Sequence, residues 1–269
     1  MLYRMKVIAA LLAFLSGMAG IYVFFDWHSD NKQLLDFARM IVHGDNVTGR
    51  DIEQLNDLVY HTGSFAKNDN YFFLPSLGPT PIQVLREGGD CSDKSRLLAA
   101  ILNEIEIPAT LVMLAPCDTC PFGHTVVEAQ TGDGPIVVDP VYNISFPSSV
   151  GRYHGVRDLR DNSDILHARL DELTLQRGSE SKVAFYRRGA DGIHYSYPVT
   201  INWEKNFLTR FIGRFLAWYT DEPSLIYRPR WLEDPKLLIA IFLGAISLFG
   251  FILLLVTVLF PRFIDTNKE

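Results

Sequence analysis

The chain has 269 residues, 48% of them apolar, with 25 basic and 31 acidic side chains and a net charge of −6. That length accommodates one ordinary soluble domain plus membrane segments, and the near-average apolar fraction conceals two concentrated apolar blocks, one near each end. No Lys/Arg cluster able to track phosphates is present, which excludes nucleic acid as a partner.

Met5 to Phe25 is almost wholly apolar, interrupted by Lys6 and Ser16. As a helix it is long enough to cross about 30 Å of hydrocarbon. A cleaved signal peptide is the rival reading, since Ser16 to Gly20 offers small residues for a cleavage site. Ile21 to Phe25 prolongs the apolar run, so an uncleaved anchor over residues 5–25 is preferred. Arg4 and Lys6 precede it, and Asp26 and Asp30 follow. The basic flank favours a cytoplasmic N-terminus.

Residues 31–200 read as the soluble domain. Gln33 to His43 carries Leu34, Leu35, Ala38, Ile41 and Val42 in a helical stripe. Asp51 to His61 is a second helix, with Thr48 placed to cap it. Pro75 to Pro81 is a loop, and Cys91 to Glu106 is a helix ended by Pro108. Strand-like runs follow at Ala109 to Leu114, Thr125 to Ala129 and Ile136 to Val141. Ser148 to Arg177 is polar and poorly patterned, and Lys182 to Arg187 and Ile193 to Ile201 read as further strands. Helices first and antiparallel strands afterwards make an α+β fold.

Trp203 to Tyr219 has Trp203, Phe207, Phe211 and Phe215 at four-residue intervals, with Lys205, Arg210 and Arg214 among them. It reads either as an amphipathic juxtamembrane helix in the membrane interface or as a core-packing helix. Its position just before the second apolar block favours the first. That block, Leu237 to Phe260, has no charge and is apolar on every face, which marks a second transmembrane helix. Two spans put both termini on one side, here the cytoplasm, and the middle domain outside it. Arg228, Arg230 and Lys236 before the second span mildly oppose that orientation.

The chemistry concentrates in Gly88-Gly89-Asp90-Cys91-Ser92-Asp93-Lys94-Ser95. A cysteine opens a helix there, where backbone N–H groups and the helix dipole favour an anion and therefore the nucleophilic thiolate. The glycines permit close approach and leave room for a substrate carbonyl. On this stretch alone a buried structural cysteine is an equal reading. A thiolate also needs a proton acceptor and donor. His124 begins a strand, and a turn at Gln130 to Asp133 leads into a strand carrying Asp139. A hairpin pairing Ala129 with Gly134 makes His124 and Asp139 cross-strand neighbours on one face. The carboxylate can then fix the imidazole tautomer and stabilise the imidazolium.

Cys, His and Asp in this order resemble the transglutaminase-like superfamily. The resemblance runs from about Pro81 to Tyr142, through Gly89-Asp90-Cys91, Ile107-Pro108-Ala109, Gly123-His124 with Glu128, and Val138-Asp139-Pro140. It implies a papain-like core with N-terminal helices and an antiparallel sheet, flanked here by two transmembrane helices. It also implies Cys91 as nucleophile, His124 as general acid/base and Asp139 as orienting acid. An upstream aromatic or amide side chain often supports the oxyanion in that superfamily; Tyr71 and Gln83 are the candidates, and the Cys91 backbone N–H is the safer donor. The expected chemistry is a thioester at Cys91 followed by amide hydrolysis or acyl transfer to an amine, on a protein or peptide substrate, with membrane-protein partners allowed for. No cofactor is implied.

Cys117 and Cys120 form a C-x-x-C in the loop before His124. A local disulfide is favoured over a reduced pair, and a metal lacks a second C-x-x-C to complete its ligands. Two other functions stand against the enzyme: a non-catalytic membrane scaffold or assembly partner using the same fold for binding, and a thiol redox protein using the C-x-x-C. The first has no chemical need for Cys91, His124 and Asp139 together. The second wants its motif at a helix start, which Pro116 and Pro121 oppose.

Overall fold

The computed structural model describes residues 2–44, 46–67, 69–115, 117, 119–178 and 195–259. Among these, the helices are α1 (Leu2–Ala38), α2 (Gly49–His61), α3 (Pro81–Glu87), α4 (Cys91–Glu104), α5 (Val156–Asp161), α6 (Ser163–Arg177), α7 (Phe207–Leu216) and α8 (Pro235–Leu259). The strands are β1 (Ala109–Ala115), β2 (His124–Thr131), β3 (Gly134–Asp139), β4 (Ile144–Ser145) and β5 (Tyr197–Val199). The chain divides into two compact units, residues 1–32 with 234–269, and residues 33–233.

The first unit pairs most of α1 with α8, and both helices are long and apolar enough to cross a membrane. They meet where side chains are smallest. Gly17 faces Ser247, Gly20 faces Ala240 and Leu243, and Gly250 lies against the backbone of Ala9 and Ala13. The Ser247 hydroxyl donates to the Ala13 carbonyl at 2.8 Å. Small residues that let backbones approach are the usual packing device of helices in lipid. At one end of the pair, Lys236 Nζ lies 2.6 Å from Asp26 and 2.5 Å from Asp30. Where the sequence suggests two helices, over 5–25 and 33–43, there is one: neither Gly nor Pro interrupts residues 26–38, and the polar stretch between them stays helical.

The second unit is built on a five-stranded antiparallel sheet in the order β4-β3-β2-β1-β5. Strand alternation splits its apolar side chains between two cores. Leu111, Val127, Ala129, Ile136 and Val138 pack with Leu97, Leu98, Ile101 and Leu102 of α4 and with Ile52, Leu55 and Val59 of α2. Val112, Leu114, Val126 and Val137 pack on the other side with Leu166, Leu170 and Leu173 of α6. Helices thus cover both faces of the sheet, which is why His124 to Val127 and Ala129 of β2 are buried. The segment 148–177, poorly patterned in sequence, holds α5 and α6. Its three leucines at helical spacing are the whole signal. Thr48 caps α2 through a reciprocal bond with Asp51. β5 falls within the strand expected over 193–201, whereas the one expected over 182–187 lies outside the described residues.

Two expectations need correcting. The β2–β3 hairpin pairs Thr131 with Gly134 and Val127 with Val138, so it turns at Gly132-Asp133 and not over four residues. Continuing that register sets Asp139 beside Val126, one diagonal step from His124 on the same face rather than directly opposite it. The second correction concerns the glycines before Cys91. Gly88 has φ +87 and ψ −165 and forms a backbone bridge with Ser64, whose carbonyl oxygen a Cβ would meet at 2.1 Å. A Cβ on Gly89 would strike Asp93 at 2.5 Å. Both glycines therefore serve backbone packing.

Gly88 occupies a backbone region essentially closed to other residues, so Gly88→Ala is expected to destabilise the second unit by about 2–3 kcal/mol from strain alone. Thermal unfolding of the detergent-solubilised protein should register a drop of several degrees in midpoint.

Candidate active site

Cys91 is the first residue of α4, after Asp90 as N-cap. Asp90 Oδ1 accepts the N–H groups of Ser92 at 2.9 Å and Asp93 at 3.0 Å, and Asp93 accepts the Asp90 N–H in return. The cap takes two of the N–H groups expected to favour a thiolate and adds a carboxylate of its own. The helix start is therefore a weaker source of thiolate stabilisation than the sequence suggests. It leaves the N–H of Cys91 itself outside the cap. The thiol is free and half-buried.

The first turn of α4 is fastened on two sides. Ser95, one turn on from Cys91 and fully buried, donates its hydroxyl to the Thr125 carbonyl at 2.9 Å. That carbonyl is next in chain to His124, so the bond fixes the start of α4 against the start of β2. The buried ammonium of Lys94 donates to the carbonyls of Val59, Tyr60 and Thr62, at 3.2, 2.9 and 2.9 Å. It thereby closes the C-terminal end of α2, where a cation is favoured. Neither residue carried a role in the sequence reading. The signal for Ser95 was its spacing: four residues after a helix-opening cysteine, it faces the same way.

His124, at the start of β2, and Asp139, at the end of β3, are 5% and 0% exposed. His124 Nε2 lies 2.6 Å from Asp139 Oδ2. The other carboxylate oxygen accepts the N–H groups of Val141 at 2.8 Å and Tyr142 at 3.1 Å. Asp139 is thus both a turn residue and the partner of the imidazole. Cys91 is near enough to His124 to act on its ionisation, by its charge and by a hydrogen bond that favours the imidazolium. Burial acts against the imidazolium, but the charge and hydrogen bond of Asp139, joined by Cys91, outweigh it and raise the His124 pKa to about 10.

Tyr142 closes the site. Its ring centroid lies 5.3 Å from that of His124 at an interplanar angle of 60°. Burial and the nearby Asp139 and Cys91 push its phenol up to about 12, so the hydroxyl stays protonated. The turn bearing it is clamped. Arg177 donates to the carbonyls of Tyr142 at 2.9 Å and Asn143 at 2.8 Å. Asn143, at φ +54, exchanges side-chain bonds with Asn56 and Asp57 of α2.

The remaining sequence candidates fall elsewhere. Gln83 Oε1 accepts the Thr80 N–H at 2.8 Å in the capping box of α3, a local structural task. Tyr71 stands largely exposed on the loop before α3. Neither takes part in the Cys91–His124–Asp139 arrangement. Cys117 and Cys120 are joined in a disulfide. Glu128, quoted in the resemblance, accepts the N–H of Val156 at 2.6 Å and a bond from Tyr227 at 3.0 Å, which places it at the start of α5. Among the described residues no group of His, Cys, Asp and Glu side chains could hold a metal.

No family model matches the chain, and no curated protein matches it. Among solved structures it is similar to the crystal structure of a "Putative Cysteine Protease" from Cytophaga hutchinsonii, at 16% identity and a TM-score of 0.34. The match covers 46% of this chain and 40% of that one, so the chain spans less than half the length of that protein. A likeness this slight bears on neither fold nor chemistry.

Removing the Ser95 hydroxyl leaves the buried Thr125 carbonyl without its donor, at a cost of about 1–3 kcal/mol. Ser95→Ala is expected to lower the unfolding midpoint by that amount and to slow alkylation of Cys91, whereas Ser92→Ala should do neither. Denaturant titration and timed iodoacetamide labelling check both.

Proposed function

We propose that the chain is a membrane-anchored cysteine enzyme of the transglutaminase-like type, forming a thioester at Cys91 and resolving it by hydrolysis or by transfer to an amine. The observation that carries this reading is the buried His124, bonded through Nε2 to Asp139 at 2.6 Å and close enough to Cys91 for the thiol to favour its cationic form. A pure binding surface has no use for a protonated imidazole held against a thiol.

In the proposed reaction the Cys91 sulfur attacks an amide carbonyl carbon of a protein or peptide, forming a C–S bond. The oxyanion is met by the Cys91 N–H. His124, as imidazolium, gives its proton to the amide nitrogen as the C–N bond breaks, and the amine leaves. Water or an acceptor amine then attacks the thioester, His124 takes its proton, and the C–S bond breaks to restore the thiolate. Asp139 holds the ring in place and stabilises the imidazolium. The papain-like core belongs to this proposal.

The same reading puts two spans in the membrane, both termini in the cytoplasm and the site outside it. The Cys117–Cys120 disulfide supports an oxidising compartment for the second unit. A reporter fused after Glu269 should accordingly be active only if it is one that works in the cytoplasm; activity of a periplasmic or extracellular reporter there would reverse the orientation.

Because the His124 pKa is raised, its cationic form persists through neutral pH and is lost only as pH climbs toward 10. With the other two cysteines joined, iodoacetamide reports on Cys91 alone. At pH 7 the wild-type rate is expected to exceed that of His124→Ala by about tenfold, because the imidazolium favours the thiolate. Asp139→Asn should lie between. Identical rates for wild type and His124→Ala would defeat the enzyme reading.

A further inference from the structure

The helix α7 is inside out for a helix of a water-soluble domain. It is fastened by its small and polar side: Gly213 is buried against the ring of Trp203, and the Thr209 hydroxyl bonds the Trp203 carbonyl at 2.9 Å. Trp203 itself is held by a bond from Nε1 to the Pro223 carbonyl at 2.9 Å. The other side carries the large apolar residues. Phe207 is 85% exposed, Phe211 68% and Trp218, just past the helix, 83%. Leu208, Ile212, Phe215 and Tyr219 are exposed with them. At about 100° per residue these side chains fill one arc of roughly 140°, and Arg210 and Arg214 lie along its edge. Arg210 is exposed and paired with Glu204 at 2.7 Å. Among the described residues no apolar element covers the arc.

Nothing in the Cys91 chemistry uses this surface. We propose that α7 lies in the interfacial layer of the same bilayer that α1 and α8 span, with Phe207, Phe211, Phe215 and Trp218 in the acyl boundary and the arginines among the headgroups. Three features select lipid over a protein partner. Tyr and Trp accompany Phe and Leu, the mixture enriched at membrane–water boundaries. The charged edge is basic on a chain whose net charge is −6, which suits anionic headgroups and long side chains that snorkel. Residues 220–234 alone separate Tyr219 from the start of α8, so the tether keeps the helix within reach of the bilayer surface. The inference rests on the anchoring part of the proposed function and is independent of Cys91.

The test uses the full chain reconstituted into vesicles of phosphatidylcholine and phosphatidylglycerol whose acyl chains are brominated near the headgroup. Bromine quenches tryptophan only at contact range, and the difference between wild type and Trp218→Phe isolates Trp218. The expected result is a Trp218 component quenched at least twofold by the brominated lipid and shielded from aqueous acrylamide. Phe211→Trp placed on the Trp218→Phe background should restore that quenched component. A Trp218 component untouched by bromine overturns the proposal, whether acrylamide reaches it, as on a bare surface, or does not, as in an interface between two copies. A chain that fails to float with the vesicles removes the anchoring reading and this one together. A chain that floats with unquenched Trp218 removes this one alone.

Discussion

The bond on which the site depends joins His124 Nε2 to Asp139 Oδ2, 2.6 Å apart and almost wholly out of water. Taking both charges from solvent costs several kcal/mol per ion, and the pair is stable only if the remaining polar atoms are bonded as well. Asp139 has two further N–H donors, and Cys91 adds to the groups that favour the imidazolium. The same bond orients the ring and, through the charge of Asp139, favours its cationic form. Removing either partner would strand a charge in the core, so the pair supports the fold of its end of the sheet and the proposed chemistry alike.

The rest of the second unit can be understood as what holds that pair against Cys91. Three separate elements contribute one residue each, so none of the geometry is local in sequence. Ser95 joins α4 to β2, Lys94 joins α4 to α2, and the Asn56–Asn143–Asp57 bonds join α2 to the turn after β3. These contacts form a closed ring of elements around the site. Cys91 packs against the core on the opposite face of the sheet from the body of its own helix. The helix dipole contributes less than its position promises, because Asp90 occupies the cap. Histidine supplies the cation that the helix start does not.

Much of this was legible in the sequence, and the failures have particular causes. Near-continuous apolar runs marked β1 to β3, and a cysteine opening an apolar helix marked the start of α4. The hairpin was read two residues out of register because Gln130 and Thr131 are polar enough to pass for turn residues, although they still pair with Pro135 and Gly134. The error preserved the face and therefore the pairing of His124 with Asp139. Gly88 and Gly89 suggested room for a substrate, whereas the backbone of Ser64 and the side chain of Asp93 already fill that space. Ser95, Lys94 and Tyr142 could not be assigned, since their roles depend on carbonyls and rings contributed by distant segments. The inverted helix α7 left two readings open, because a sequence gives the arc of aromatics but not which side is buried.

Whether His124 is charged is the point from which the rest follows. Selective ring-nitrogen labelling of histidine in the detergent-solubilised chain, with Cys91 present and with Cys91→Ala, reads its protonation by NMR at pH 8. Both ring nitrogens should carry a proton in the wild type, as the raised pKa of about 10 requires. A neutral imidazole with a single protonated nitrogen at that pH would contradict the ion-pair account of the site.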